Sequence, residues 1–138
     1  MVLKYHIGGG DFVNAGKASS AVKSVLKQLN VPQARIKRVV IALYETEVNV
    51  VAHAREGDIE AVIDSNKVTI TVKDIGPGIP DLEEAMKEGF STASREVREM
   101  GFGAGMGLPN IKRNSDDLHI ESVQGQGTIV RITNDLKD

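Results

Sequence analysis

Two runs of strict alternation, Ile59-x-Ala61-x-Ile63 and Val68-x-Ile70-x-Val72, flank Asp64-Ser65-Asn66-Lys67, and this arrangement constrains the fold more than any other feature. A period of two puts the apolar side chains of each run on one face, and the short polar interval reads as the turn of an antiparallel hairpin. A sheet with one apolar face needs a covering layer, which the preceding segments offer. Val22, Val25, Leu26 and Leu29 recur at i, i+3, i+4, i+7 and predict an amphipathic helix ending near Asn30, with Asp11 as a plausible N-cap upstream. Pro32 opens a longer helix to about His53, on which Ile36, Val40, Leu43, Glu47, Val50 and Ala54 share one broad stripe.

The remaining elements follow from the same periodicities. Leu3, Tyr5 and Ile7 predict a short strand stopped by Gly8-Gly9-Gly10, and a turn is expected at Ile75-Gly76-Pro77-Gly78. A short helix is expected over Pro80 to Lys87, ended by Gly89, and then a mobile loop over 90–107 with glycine at every second position from Gly101 to Gly107. A helix from Leu108 to about Asn114 and two strands, Leu118 to Val123 and Thr128 to Thr133, follow, the strands joined by Gln124-Gly125-Gln126-Gly127. Neighbouring strands in hairpins argue for an α+β two-layer sandwich, a mostly antiparallel sheet with helices on one face. The length of 138 residues fits a single domain, 1–138, with no linker or internal repeat. A net charge of -2 gives no general attraction to nucleic acid or anionic membrane, so neither is expected as a partner. No run approaches a membrane span and the N-terminus lacks the apolar stretch of a secretion signal, so a cytoplasmic location is expected. With no Cys, thiolate chemistry is excluded, and His6, His53 and His119 stand at no ligand spacing.

Two apparent phosphate motifs fail. Gly16-Lys17-Ala18-Ser19 lacks the upstream Gly and the hydroxyl residue directly after Lys, and the run from Gly101 has Leu108 where a dinucleotide fingerprint needs its last Gly. Four clusters remain. Glu45 and Asn49 are i, i+4 on the second helix and project from one face, away from its main apolar stripe; alone they read as solvated surface. Asp74-x-Gly76-x-Gly78 leaves a strand at an acid and offers backbone unobstructed by Cβ atoms, or simply a tight turn. Gly103-x-Gly105-x-Gly107 opens a helix and exposes amides to an anion, or is a flexible linker. Gly125-x-Gly127-Thr128 by itself is a hairpin turn.

In order, spacing and flanking elements, the four clusters together resemble the ATP site of the GHKL superfamily, the Bergerat-fold ATPases and kinases, over about residues 36 to 133. The stretches Val72 to Asp81, Glu88-Gly89-Phe90-Ser91-Thr92 and Gly103 to Arg113 more narrowly resemble bacterial partner-switching Ser/Thr kinases, stressosome switch kinases first and anti-sigma factor kinases next. The resemblance implies the Bergerat ATP-binding fold, ATP and a magnesium ion as cofactors, and a lid at about 90–107. It implies Asn49 as the metal's amide-oxygen ligand and Glu45 as the general base taking the proton of an attacking hydroxyl. Glu47 is a poor rival, since two residues turn it about 200° around the helix. Asp74 would accept from an exocyclic amine, favouring adenine; Gly76 and Gly78 would let backbone approach the base; Thr128 would support that contact. Gly103, Gly105, Gly107 and Leu108 would close over the phosphates.

The implied activity is ATP-dependent phosphorylation of a Ser or Thr on a STAS-domain anti-sigma antagonist or stressosome scaffold protein. The output partner would be a metal-dependent Ser/Thr phosphatase or a sigma factor. One departure is the segment from Ala93 to Phe102, longer than the short lid of the switch kinases. It adds Arg95 and Arg98, read as a solvated charge cluster before a grip on phosphate. Two competing expectations remain: an ATP-gated binding module with negligible phosphotransfer, and a histidine-kinase catalytic domain, for whose phosphoacceptor helix pair the chain leaves no room.

Overall fold

The computed structural model describes residues 1–79, 86 and 107–137. Strand β1 (Val2–Gly8) is followed by a 3-10 turn (Phe12–Asn14), helices α1 (Lys17–Gln28) and α2 (Gln33–His53), and the hairpin β2 (Glu56–Ile63) and β3 (Lys67–Ile75). Helix α3 (Gly107–Arg113) and a second hairpin, β4 (Asp117–Val123) and β5 (Gly127–Asp135), complete the described chain. The five strands pair antiparallel in the order β1-β2-β3-β5-β4. The expected α+β sandwich is thus observed. The expected helix at 80–87, Met86 apart, and the loop up to 106 lie outside the described residues.

Register explains the two faces. Ile59, Ala61 and Ile63 of β2, Val68, Ile70 and Val72 of β3, and Val130 and Ile132 of β5 are all buried against the helical layer. Between them on the opposite face stand Lys4, His6, Asp58 and Glu60, which remain exposed and pair across the strands, Lys4 with Glu60 at 4.0 Å and His6 with Asp58 at 2.8 Å. Helix α2 lies across the sheet with α1 and α3 on its flanks, so it buries residues well beyond the predicted stripe, including Val39, Ala42 and Thr46. Each large core side chain removed from water contributes about 1.5–3 kcal/mol, which is why a helix with no side-chain cap at its start is still held along its whole length.

The ends of α1 differ instructively from expectation. Its C-terminus is a Schellman turn: Asn30 takes φ 57, Asn30 N–H donates to Lys27 O at 3.0 Å and Val31 N–H to Leu26 O at 3.1 Å. Asp11 does not cap α1; it makes no cap bond even to the 3-10 turn and instead accepts from Asn14 Nδ2 at 2.6 Å. The residue before α1 is Gly16, at φ 95, and the amides there are met by a side chain from α2.

Candidate functional site

The loops at one end of the sheet gather the predicted residues into two groups. In the first, Glu45 and Asn49 are half-buried on one face of α2, and α3 begins beside them. A Cβ at Gly107 would stand 3.1 Å from Asn49 Oδ1 and 3.4 Å from Nδ2, so glycine lets the α3 backbone come this near without displacing the amide. One turn into α3, Asn110 hydrogen-bonds the Glu45 side chain. Burial pushes the Glu45 carboxyl above its ordinary value, and the bond from Asn110 opposes that shift. A half-desolvated carboxylate of this kind is a better proton acceptor than a solvated one.

The second group lies where β3 ends and β5 begins. Asp74 Oδ1 accepts from Thr128 N–H at 3.0 Å, and burial raises the Asp74 carboxyl, the Thr128 bond opposing. Backbone approach is too close here for side chains. A Cβ at Gly127 would fall 2.1 Å from Asp74 O, and Gly78, at φ 76, would place one 2.6 Å from Val123 O. Gly76 is buried, with a would-be Cβ 3.0 Å from Ala54 Cα. Ala54 is the C-cap of α2. The glycine turn therefore rests on the end of the helix that carries Asn49, and Arg55 N–H donating to Ile75 O at 2.7 Å ties the two groups together.

A third contact fixes α2 itself. Glu47, only 1% exposed, points away from Glu45 as the helix geometry requires, and its carboxylate receives the start of α1. Gly16 N–H donates to Oε2 at 3.0 Å, Ala18 N–H to Oε2 at 3.3 Å, Ser19 N–H to Oε1 at 2.7 Å, and the Ser19 hydroxyl also donates to Oε1. The carboxylate supplies the cap that no residue preceding α1 provides, at the helix end whose dipole favours negative charge. Gly10 N–H donating to Val51 O at 2.8 Å adds a second tie to the last turns of α2.

Of the predicted residues, Glu45, Asn49 and Gly107 meet in the first group and Asp74, Gly76, Gly78 and Thr128 in the second. Leu108 is buried in the hydrophobic core. Gly103 and Gly105 lie outside the described residues, as do Arg95 and Arg98. Asn110 and Ser122 were not read from the sequence. Ser122 pairs in register with Thr128 across β4 and β5, a signal present in the second hairpin once its turn is placed. Among the described residues no cluster of three His, Cys, Asp or Glu could hold a metal alone.

A family model, the histidine kinase-like ATPase domain, matches residues 11–134. An anti-sigma F factor of Thermoanaerobacter sp. (strain X514) is 36% identical over 125 residues, covering 87% of this chain and 84% of that protein. The serine/threonine-protein kinase RsbT of Bacillus subtilis (strain 168) is 35% identical over 113 residues, 79% of each chain. Among solved structures, the mycobacterial sensor histidine kinase MprB superposes with a TM-score of 0.53 at 20% identity, covering 74% of this chain and 72% of that one, and shares the fold. The match across residues 11–134 takes in all four sequence clusters and both residue groups, and with it the chain belongs to the family of histidine kinase-like ATPase domains, alongside anti-sigma F factors and the RsbT kinase.

Proposed function

We propose that this chain is a magnesium- and ATP-dependent serine/threonine kinase of a partner-switching pathway, acting on a STAS-domain regulator and binding a downstream partner. The observation that carries the reading is the half-buried Glu45, raised in proton affinity and held by Asn110, one helical turn from the oxygen donor Asn49. Residues 1–138 then act as one domain, with the nucleotide site within 36–133, a lid at about 90–107, and the cytoplasm as its place of action. No helix among the described residues is long and apolar enough to cross a membrane.

The donor set fits a hard cation. Asn49 offers a neutral amide oxygen beside backbone that a Cβ would crowd, and with no cluster of three acidic or His ligands among the described residues the ion would share its coordination with phosphate oxygens. Bound there, magnesium supplies neutralisation of the phosphate charge. Asp74 and Thr128 hold the adenine edge, and Gly76 and Gly78 keep that surface free of side chains. Glu45 orients the Ser or Thr hydroxyl of the substrate and takes its proton as the oxygen bonds to the terminal phosphorus, while the bond from that phosphorus to the bridging oxygen breaks and ADP leaves.

The names of the relatives favour a second reading as well: an anti-sigma factor acts by binding, so an ATP-gated binder with negligible transfer is the competitor. Incubation with γ-labelled ATP and a STAS protein encoded beside this gene separates them. Acid-stable phosphate on Ser or Thr is expected. Acid-labile phosphate, or none, contradicts the kinase reading.

A further inference from the structure

We propose that Ser122 is a positioning residue for nucleotide choice: its hydroxyl fixes which way the Thr128 hydroxyl points, and so which purine the site accepts. The proposal rests on the assignment of Asp74 and Thr128 to the base. Ser122 Oγ receives Ile79 N–H at 2.6 Å, stands 3.0 Å from Thr128 Oγ1, and reaches Gly127 O only at 3.5 Å. A serine hydroxyl has one proton to give and two lone pairs. The Ile79 amide uses one lone pair, and of the two acceptors left for the proton, Thr128 Oγ1 is well within range while Gly127 O is at the limit. Either hydroxyl can donate in this pair; the proposal takes Ser122 as the donor, Thr128 Oγ1 being the nearer acceptor for its proton, which leaves the Thr128 proton for a ligand.

Beside it, Asp74 Oδ1 is taken by Thr128 N–H, and among the described residues Oδ2 accepts nothing. The site thus presents a carboxylate acceptor next to a hydroxyl donor. Adenine matches this order, with an exocyclic amine that donates and a neighbouring ring nitrogen that accepts. Guanine reverses it, with a carbonyl that accepts and a ring N–H that donates. Without Ser122, Thr128 is free to rotate and accept, and the guanine edge loses part of its penalty. The same hydroxyl holds the Ile79 amide and lies 3.1 Å from where a Cβ at Gly78 would stand, so it also couples the glycine turn to the base contact.

Calorimetric titration of ATP and GTP into wild type, Ser122→Ala, Ser122→Cys and Ser122→Thr, each checked for native circular dichroism, tests this. Ser122→Ala is expected to lower the ratio of ATP to GTP affinity by about fivefold to twentyfold. Ser122→Cys, filling the same space with a weak donor, should lower it too, and Ser122→Thr should keep it. An equal loss for both nucleotides with the ratio unchanged, meaning support of the glycine turn alone, overturns the proposal, as does no change. A wild type with no preference, or an Asp74→Asn variant with the wild-type ratio, instead removes the base assignment beneath it.

Discussion

Glu47 is the buried carboxylate on which the packing of α1 against α2 turns, and Glu47→Gln perturbs it with almost no change of volume. The four bonds divide into two pairs, Gly16 and Ala18 amides on Oε2, and the Ser19 amide and hydroxyl on Oε1. A glutamine oxygen can keep one pair. Its NH2 must then face the other, where the Ser19 hydroxyl can rotate to accept but the Ser19 amide cannot, leaving one buried donor orphaned. That loss, with the removal of negative charge from the start of α1, amounts to about 2–4 kcal/mol, and relief from burying a carboxylate brings the net to about 2–3 kcal/mol. For a chain of 138 residues this corresponds to a fall in Tm of about 7–10 °C. Scanning calorimetry gives the shift, and amide exchange should speed selectively at Gly16, Ala18 and Ser19. A Tm within about 1 °C of wild type, with those amides still protected, would refute the capping argument.

The other substitutions probe the site. Asn49→Ala should abolish the part of ATP affinity that depends on magnesium, measured by calorimetry with and without the ion, because a methyl cannot replace the oxygen donor. Asp74→Asn should weaken ATP binding and blur discrimination against GTP, since an amide can turn a donor toward the purine. The raised Glu45 and Asp74 carboxyls make a pH prediction whose sign is fixed. Each holds its proton more tightly in the folded state, so its stability contribution is full below the ordinary carboxylate range and is lost as pH rises through the raised value. Without nucleotide, Glu45→Gln should therefore melt higher than wild type at neutral pH, with the gap closing as pH falls toward about 4.

The hairpins and the helix at 33–53 were legible because alternation and 3.6-residue periodicity record burial on one face, and that burial is what holds them. Glu45 and Asn49 were legible as a spacing. Their partners were not: Asn110 reaches Glu45 only once α3 docks on α2, and Ser122 acquires its role only when β4 pairs with β5. The start of α1 was misread for the same reason. Asp11 has the local look of an N-cap, whereas the acceptor for Ser19 lies 28 residues away on another helix, and a long-range cap leaves no local signature. An acid on an apolar stripe, as Glu47 is, was the one trace of it in the sequence.

The central claim is that Glu45 acts in chemistry while Asn49 and Asp74 act in binding, and a paired measurement on Glu45→Gln tests it most directly. The amide keeps the shape and can still bond Asn110, but it cannot take a proton from the attacking hydroxyl. Nucleotide affinity by calorimetry should change by less than about tenfold, while the rate of phosphate transfer to the STAS partner should fall by about a hundredfold or more. Equal transfer rates for variant and wild type would contradict the account.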